Sequence, residues 1–401
     1  MGWKIPSFAL FCIFFAYYIY LPIPENIEER WKVGLITILT KFASLMNVLL
    51  ENVGIMRYGQ LFRIILAMDL TKPISDENLT VIDTDFSDIP VRLYLPTRKS
   101  ERRRPAIIFI HGGAMTQGSC KLSSYDSLSR WTAKKLDAVV LGVDFRQAPQ
   151  YLFPVPLEDC VFAVKFFLQD KILMKYGVDP TRICITGDSS GGLLATSVVY
   201  LLQNDPEFKD KIKAQALIYP VLQVFDTLVP SHQEYANGPF LTREMAIKLF
   251  CLSLTMDEAL PQAMLRNQHM PEESRHLFKY VNWSVYLPEK YKKYHVYTEP
   301  TLGNLKSLHP LLVDSRLSPL VLNDSQLQTL PLTYILTCEH DLVRDDGLIY
   351  ATRLQNVGVQ VTHDHLEDGF HAAISLTGPP MYIQFGFKIR DKYICWLEEN
   401  L

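Results

Sequence analysis

Ile183-Cys184-Ile185-Thr186-Gly187-Asp188-Ser189-Ser190-Gly191 runs from an unbroken apolar stretch into a serine flanked by glycines. The first four residues predict a buried strand and those after Ser190 a helix, so Ser189 falls at the corner between them. In that setting G-x-S-x-G reads as a nucleophile elbow, which carries a serine hydroxyl on a strained tight turn. Side chains two residues to either side would collide with the neighbouring strand and helix, so glycine is required at Gly187 and Gly191. The bare pattern arises by chance in roughly one chain in eight of this length. Its weight therefore depends on what surrounds it.

Outward from the elbow, β-branched runs alternate with helical ones: strands at 91–95, 106–110, 138–143, 183–187 and 214–219, with a helix over 157–176 and another from 190. Continuous apolar strands separated by helices predict an α/β fold with a doubly wound, mostly parallel sheet. The alternation lapses from about 222 to 310 and resumes with a strand at 332–337, a helix at 346–356 and a strand at 359–366. An α/β pattern that breaks off and resumes predicts a cap inserted over one end of the sheet. The amphipathic stretch of about 26–70 is expected to join it. The expected organisation is an N-terminal apolar segment (1–24), a cap segment (25–80) and a catalytic domain (81–401) that carries the insertion.

A second motif, His111-Gly112-Gly113, ends the strand 106–110. Adjacent glycines leave backbone N–H groups bare and let an acyl carbon approach, so Gly112 and Gly113, with the N–H of Ser190, are the expected oxyanion hole. Each such donor is worth about 3 kcal/mol in the transition state. Serine needs a base, and in this kind of fold the chain order is serine, acid, histidine. His371 follows the strand 359–366 in Asp368-Gly369-Phe370-His371, whereas His363 and His365 lie inside that strand and His340 adjoins the acid candidate. That candidate is Asp341, just past the strand 332–337, with Glu339, Asp345 and Asp346 nearby. A carboxylate there would fix the imidazole tautomer and stabilise the imidazolium.

Forty basic against forty-three acidic residues leave a formal charge of -3, with no long run of either sign, so nucleic acid is not an expected partner. Seven scattered cysteines, without C-x-x-C or histidines at zinc spacing, give no metal site. Residues 8–21 carry neither charge nor glycine, between Pro6 and Pro22. Their length suits a signal peptide, but no small-x-small cleavage site follows, which favours an uncleaved anchor. Lys4 on one flank and Glu25, Glu28 and Glu29 on the other keep the N-terminus cytosolic and the rest lumenal. Sequons at Asn78, Asn282 and Asn323 fit that side.

These residues together resemble the hormone-sensitive-lipase group of α/β hydrolases, and within it the arylacetamide deacetylase family of microsomal esterases. The resemblance runs through nearly the whole chain, including Asp144-Phe145-Arg146-Gln147-Ala148-Pro149 and Asp341-Leu342-Val343-Arg344-Asp345-Asp346-Gly347. It implies an α/β-hydrolase fold, a triad of Ser189, Asp341 and His371, no cofactor, and an apolar carboxylic ester or aryl amide as substrate. It also implies a single-pass anchor in the endoplasmic reticulum membrane, the alternative being secretion after signal cleavage. Where relatives have a third glycine this chain has Ala114, and Met115-Thr116 replaces an aromatic residue and a cysteine. The family's disulfide to the acid-motif strand lacks its usual first cysteine, and Cys120 is the substitute expected to pair with Cys338. Ala114 and Met115 are expected to narrow the acyl pocket. The competing readings are a catalytically idle paralogue and a small-ligand-binding protein on the same fold.

Overall fold

The computed structural model describes residues 22–303 and 309–401; the apolar segment 8–21 lies outside them. Eight strands form one sheet: β1 (Leu79–Phe86), β2 (Ile89–Pro96), β3 (Arg104–Ile110), β4 (Val139–Val143), β5 (Val178–Asp188), β6 (Ala214–Ile218), β7 (Leu332–His340) and β8 (Val361–Phe370). Their order is β1-β2-β4-β3-β5-β6-β7-β8. β2 pairs antiparallel with β1 and with β4, and every other neighbour is parallel. The expected doubly wound sheet is therefore present, with an antiparallel hairpin added at one edge. β1 and β2 meet at Ser87 and Asp88, whose φ of 53 and 64 give the turn a twist that matches the strands.

The longer helices are α1 (Arg30–Asn52), α2 (Gln60–Ala67), α3 (Ser123–Leu136), α4 (Val155–Phe167), α5 (Asp170–Tyr176), α6 (Ser190–Gln203), α7 (Arg243–Leu254), α8 (Ala259–Leu265), α9 (Arg344–Asn356) and α10 (Gln384–Asn400). The expected helix over 157–176 is two helices, broken between Phe167 and Asp170. Side chains alternate across the strands and build two cores. Ile108, Leu141, Ile185 and Leu217 face α4, α6 and α9, through Val164, Val198 and Leu354. Phe109, Val140, Cys184 and Leu336 face α3 and α10, through Tyr125, Ile389 and Trp396. The result is a three-layer sandwich buried on both faces, as continuous apolar strands require.

Between β6 and β7 the described chain contains α7, α8 and shorter helices, but no strand. α1 and α2 meet this insertion at a small cluster of Tyr58, Met245 and Leu249, and the Thr37 hydroxyl accepts the Phe240 N–H.

The expected Cys120–Cys338 disulfide is absent. Both thiols are free and buried. Cys120 packs against Gly142 of β4, and Cys338 against Gly369 of β8. β4 and β7 stand four sheet positions apart, about 19 Å at ordinary strand spacing, far beyond a disulfide's reach.

Candidate active site

Ser189 sits between β5 and α6 with φ 56 and ψ -124, a conformation that L-residues rarely adopt. Its N–H is held by the Ile218 carbonyl. Crowding explains the flanking glycines: a Cβ on Gly187 would lie 2.3 Å from the Gly191 carbonyl oxygen, and one on Gly191 only 2.2 Å from that of Ile110. The strain is thus held by a backbone that admits no side chain there.

His371 follows β8 and Asp341 follows β7, so both stand with Ser189 at the C-terminal edge of the sheet, where open α/β sheets bind ligands. The Ser189 Oγ is 2.9 Å from His371 Nε2. His371 Nδ1 is 2.9 and 3.0 Å from the two Asp341 carboxylate oxygens. Asp341 also accepts the Val343 N–H at 2.9 Å, which fixes the carboxylate plane. The Tyr219 ring packs against the imidazole at 4.9 Å. The other acids near Asp341 are committed elsewhere. Glu339 and Asp345 pair with Arg344, and Asp346 accepts from the Leu222 N–H and the Gln223 amide. His363 and His365 share the Thr337 hydroxyl, and His340 pairs with Asn26, away from Ser189.

The loop after β3 departs from expectation at one residue. The Gly112 N–H is donated to Asp188 Oδ1 at 2.8 Å and so is not free for an oxyanion. Gly112 still lies against Ser189, since a Cβ on it would sit 3.1 Å from Ser189 Cβ. Among the described residues, the N–H groups of Gly113, Ala114 and Ser190 have no acceptor. Gly113 is required by φ 110 and by the Gln117 carbonyl, 2.0 Å from where its Cβ would be. Ala114 and Met115 follow at φ 55 and 58, so the chain runs through three left-handed residues with glycine at the first alone. Met115 does not line the pocket as expected, because its side chain is fully buried in the core beside α4. Ala114 does line it. His111 is buried beneath the loop, stacked on Phe145 with ring centroids 4.4 Å apart, and its Nδ1 meets the Gly112 carbonyl. Burial lowers its pKa, so it stays neutral and braces the loop.

Asp188 is the residue whose place in the candidate site motif reading misses. Besides Gly112, it accepts the Tyr125 hydroxyl at 3.0 Å, and burial pushes its pKa up to about 6. Its position inside G-x-S-x-G is visible in sequence, but its partners are not.

A cavity of about 380 Å³ opens above Ser189. Its walls come from α1 and α2 (Ile36, Leu39, Phe62, Ile65), from the segment between β6 and β7 (Phe240, Met245, Phe250) and from the loops around Ser189 and His371. Among the described residues, no lysine or arginine lines it.

Asn78 and Asn323 are exposed, before β1 and at a capping box respectively. Asn282 is half-buried, and its amide oxygen caps the short helix Trp283–Tyr286.

A family model described as the α/β hydrolase fold matches residues 107–269 and 265–375. The chain is 46% identical to rabbit (Oryctolagus cuniculus) arylacetamide deacetylase over 388 residues, covering 96% of each. It is 59% identical to human (Homo sapiens) arylacetamide deacetylase-like 2 over 401 residues, covering all of both. The chain belongs to the arylacetamide deacetylase family of α/β hydrolases. Neutral cholesterol ester hydrolase 1 of Pongo abelii is 38% identical over 393 residues, with 96% of each chain covered. Among solved structures, an ester hydrolase from the metagenome of Lake Arreo superposes with a TM-score of 0.67 at 21% identity, covering 94% of this chain and 99% of the other. An esterase from the archaeon Pyrobaculum calidifontis gives 0.63 at 22%, with the same coverage. At that identity both speak for the fold shared with the family.

Proposed function

We propose that this member of the arylacetamide deacetylase family is a serine carboxylic ester hydrolase that acts on apolar esters, and on aryl amides, through an acyl-enzyme on Ser189. The observation that carries this reading is the unbroken chain from the Ser189 hydroxyl through His371 to Asp341, at hydrogen-bond distances and open to an apolar cavity. Ser189 Oγ attacks the carbonyl carbon while its proton passes to His371 Nε2, and the Asp341 carboxylate stabilises the imidazolium. The oxyanion takes the N–H groups of Gly113, Ala114 and Ser190, Ala114 serving in place of the committed Gly112. His371 returns the proton to the departing alcohol or amine. Water, deprotonated by the same imidazole, then releases the acid.

Substrate charge is restricted by the walls. With no lysine or arginine among the described lining residues to neutralise it, an anionic substrate would lose hydration without compensation. A neutral ester loses little. α1, α2 and the insertion between β6 and β7 together form the cap that shapes the acyl and alcohol ends of the site. The catalytic body is held at the endoplasmic reticulum membrane, on the lumenal side, by residues 1–24, and Asn78, Asn282 and Asn323 are its glycosylation sites. The alternative is secretion after cleavage of the same segment.

The test is fluorophosphonate labelling of the full-length protein beside Ser189→Ala and His371→Ala, followed by hydrolysis of p-nitrophenyl esters of increasing chain length. Labelling and turnover lost in both variants establish the hydrolase. A folded parent protein that takes no label identifies a binding or idle role.

A further inference from the structure

α1 is turned the opposite way from a surface helix of a water-soluble body. Residues 31, 35, 38, 42, 45 and 49 recur at spacings of three and four, all apolar, along about 27 Å of one helix face. Trp31 is 70% exposed, Leu35 42%, Leu49 46%, and Val53, just past the end, 67%. No charged side chain interrupts the stripe. The polar residues face inward instead: Thr37 and Asn47 are buried, with the Asn47 amide oxygen accepting the N–H groups of Gly59 and Leu61. α2 extends the apolar surface with Ile64 and Ile65, both nearly half exposed. An apolar surface this continuous on a soluble protein marks an interaction site.

The stripe runs into the cavity. Leu39 and Ile65 are each about half exposed and also line the space above Ser189. Residues 22–29 join α1 to the apolar segment 8–21, a connection that spans at most about 28 Å even when extended. If that segment enters a bilayer, the stripe is held beside the same bilayer.

We propose that the outer faces of α1 and α2 are a lipid-docking surface that lies in the plane of the bilayer interface, and that apolar esters pass from the lipid to Ser189 between Leu39 and Ile65. The delivery step rests on the hydrolase reading above; the docking step does not. α1 is long and apolar enough to cross a membrane by length and composition. Its inward contacts through Thr37 and Asn47 hold it against the body, with Lys41 buried on the same side, so it lies along the interface instead. The absence of charge on the stripe means that docking is driven by apolar burial. Neutral phosphatidylcholine is therefore sufficient, and added salt does not reverse it.

The test uses the full-length chain in phosphatidylcholine vesicles that contain a diazirine-bearing phosphatidylcholine, with adducts mapped by mass spectrometry after illumination. The expected result is adducts on residues 31–49 and 64–65 as well as on 8–21. Adducts confined to 8–21 overturn the proposal, whether the stripe is covered by that segment, by a second copy or by nothing. A Leu35→Asp/Leu49→Asp variant reads the delivery step. Hydrolysis of a long-chain ester presented in vesicles should fall at least 10-fold, while turnover of p-nitrophenyl acetate in water is unchanged. Equal losses on both substrates, or no loss on either, refute delivery from the lipid. If even the parent protein hydrolyses neither ester, the hydrolase reading has failed, and the adduct map still decides docking.

Discussion

The Asp188 carboxylate bridges the loop after β3 and α3, accepting the Gly112 N–H through one oxygen and the Tyr125 hydroxyl through the other. Asp188→Ala leaves both donors buried without acceptors, at about 1–3 kcal/mol each. It also frees the loop that carries Gly113. The expected result is a 10- to 100-fold fall in kcat with little change in KM, and a lower urea midpoint. Asp188→Asn should recover most of both, because the amide oxygen still accepts from Gly112 and the Tyr125 hydroxyl can turn to accept. Equal defects in the two variants would show that hydrogen-bond geometry is not what Asp188 supplies.

Asp341 holds the imidazole through both carboxylate oxygens. Asp341→Asn keeps the shape but presents an amide N–H to one side of the ring, favouring the wrong tautomer. A kcat reduction of roughly 10⁴ is expected, with an unchanged far-ultraviolet circular dichroism spectrum. A loss of only a few-fold in steady-state ester hydrolysis would remove Asp341 from the triad.

Ser190 carries a buried hydroxyl without a hydrogen-bond partner among the described residues. Its backbone N–H, not its side chain, is what the mechanism uses. Ser190→Ala should therefore raise stability by about 1 kcal/mol in denaturant titration and leave kcat within two-fold. A marked loss of activity would reveal a role for the hydroxyl.

Asp346 is buried, and desolvation raises its pKa from 3.8 to about 7. A carboxyl whose folded pKa is raised contributes stability fully below about pH 4, and that contribution is lost as the pH climbs through 7. Asparagine does not titrate. The stability of Asp346→Asn relative to the parent is therefore expected to increase between pH 4 and pH 8, measured by urea unfolding at each end. A difference that stays constant with pH would contradict a raised ionisation.

What is legible in the sequence follows the range of the interactions. Around Ser189 every requirement is local, so strand, glycines and helix can be read from nine residues. His371 and Asp341 are legible because each follows an apolar strand in the expected chain order. Gly112 shows the limit: its N–H acceptor lies 76 residues away, and Tyr125 meets the same carboxylate across 63. No local pattern announces either contact. β1 is hidden for a related reason. Its Asp83 breaks the apolar pattern, yet it belongs to the strand because it pairs with the buried Arg92 of the neighbouring strand at 2.7 Å. The Cys120–Cys338 pairing, carried over from the family's disulfide, fails because Cys120 packs on β4, four steps across the sheet from β7.

The described cysteines carry no cross-link for folding to wait on. Six cysteines are described; five are buried, and Cys395 alone among them is exposed. No cross-link between them has to form before the two cores close, so the described body can reach its native state without an oxidant or an isomerase. A reductant should leave its melting temperature unmoved, and an oxidant has one accessible described thiol to attack.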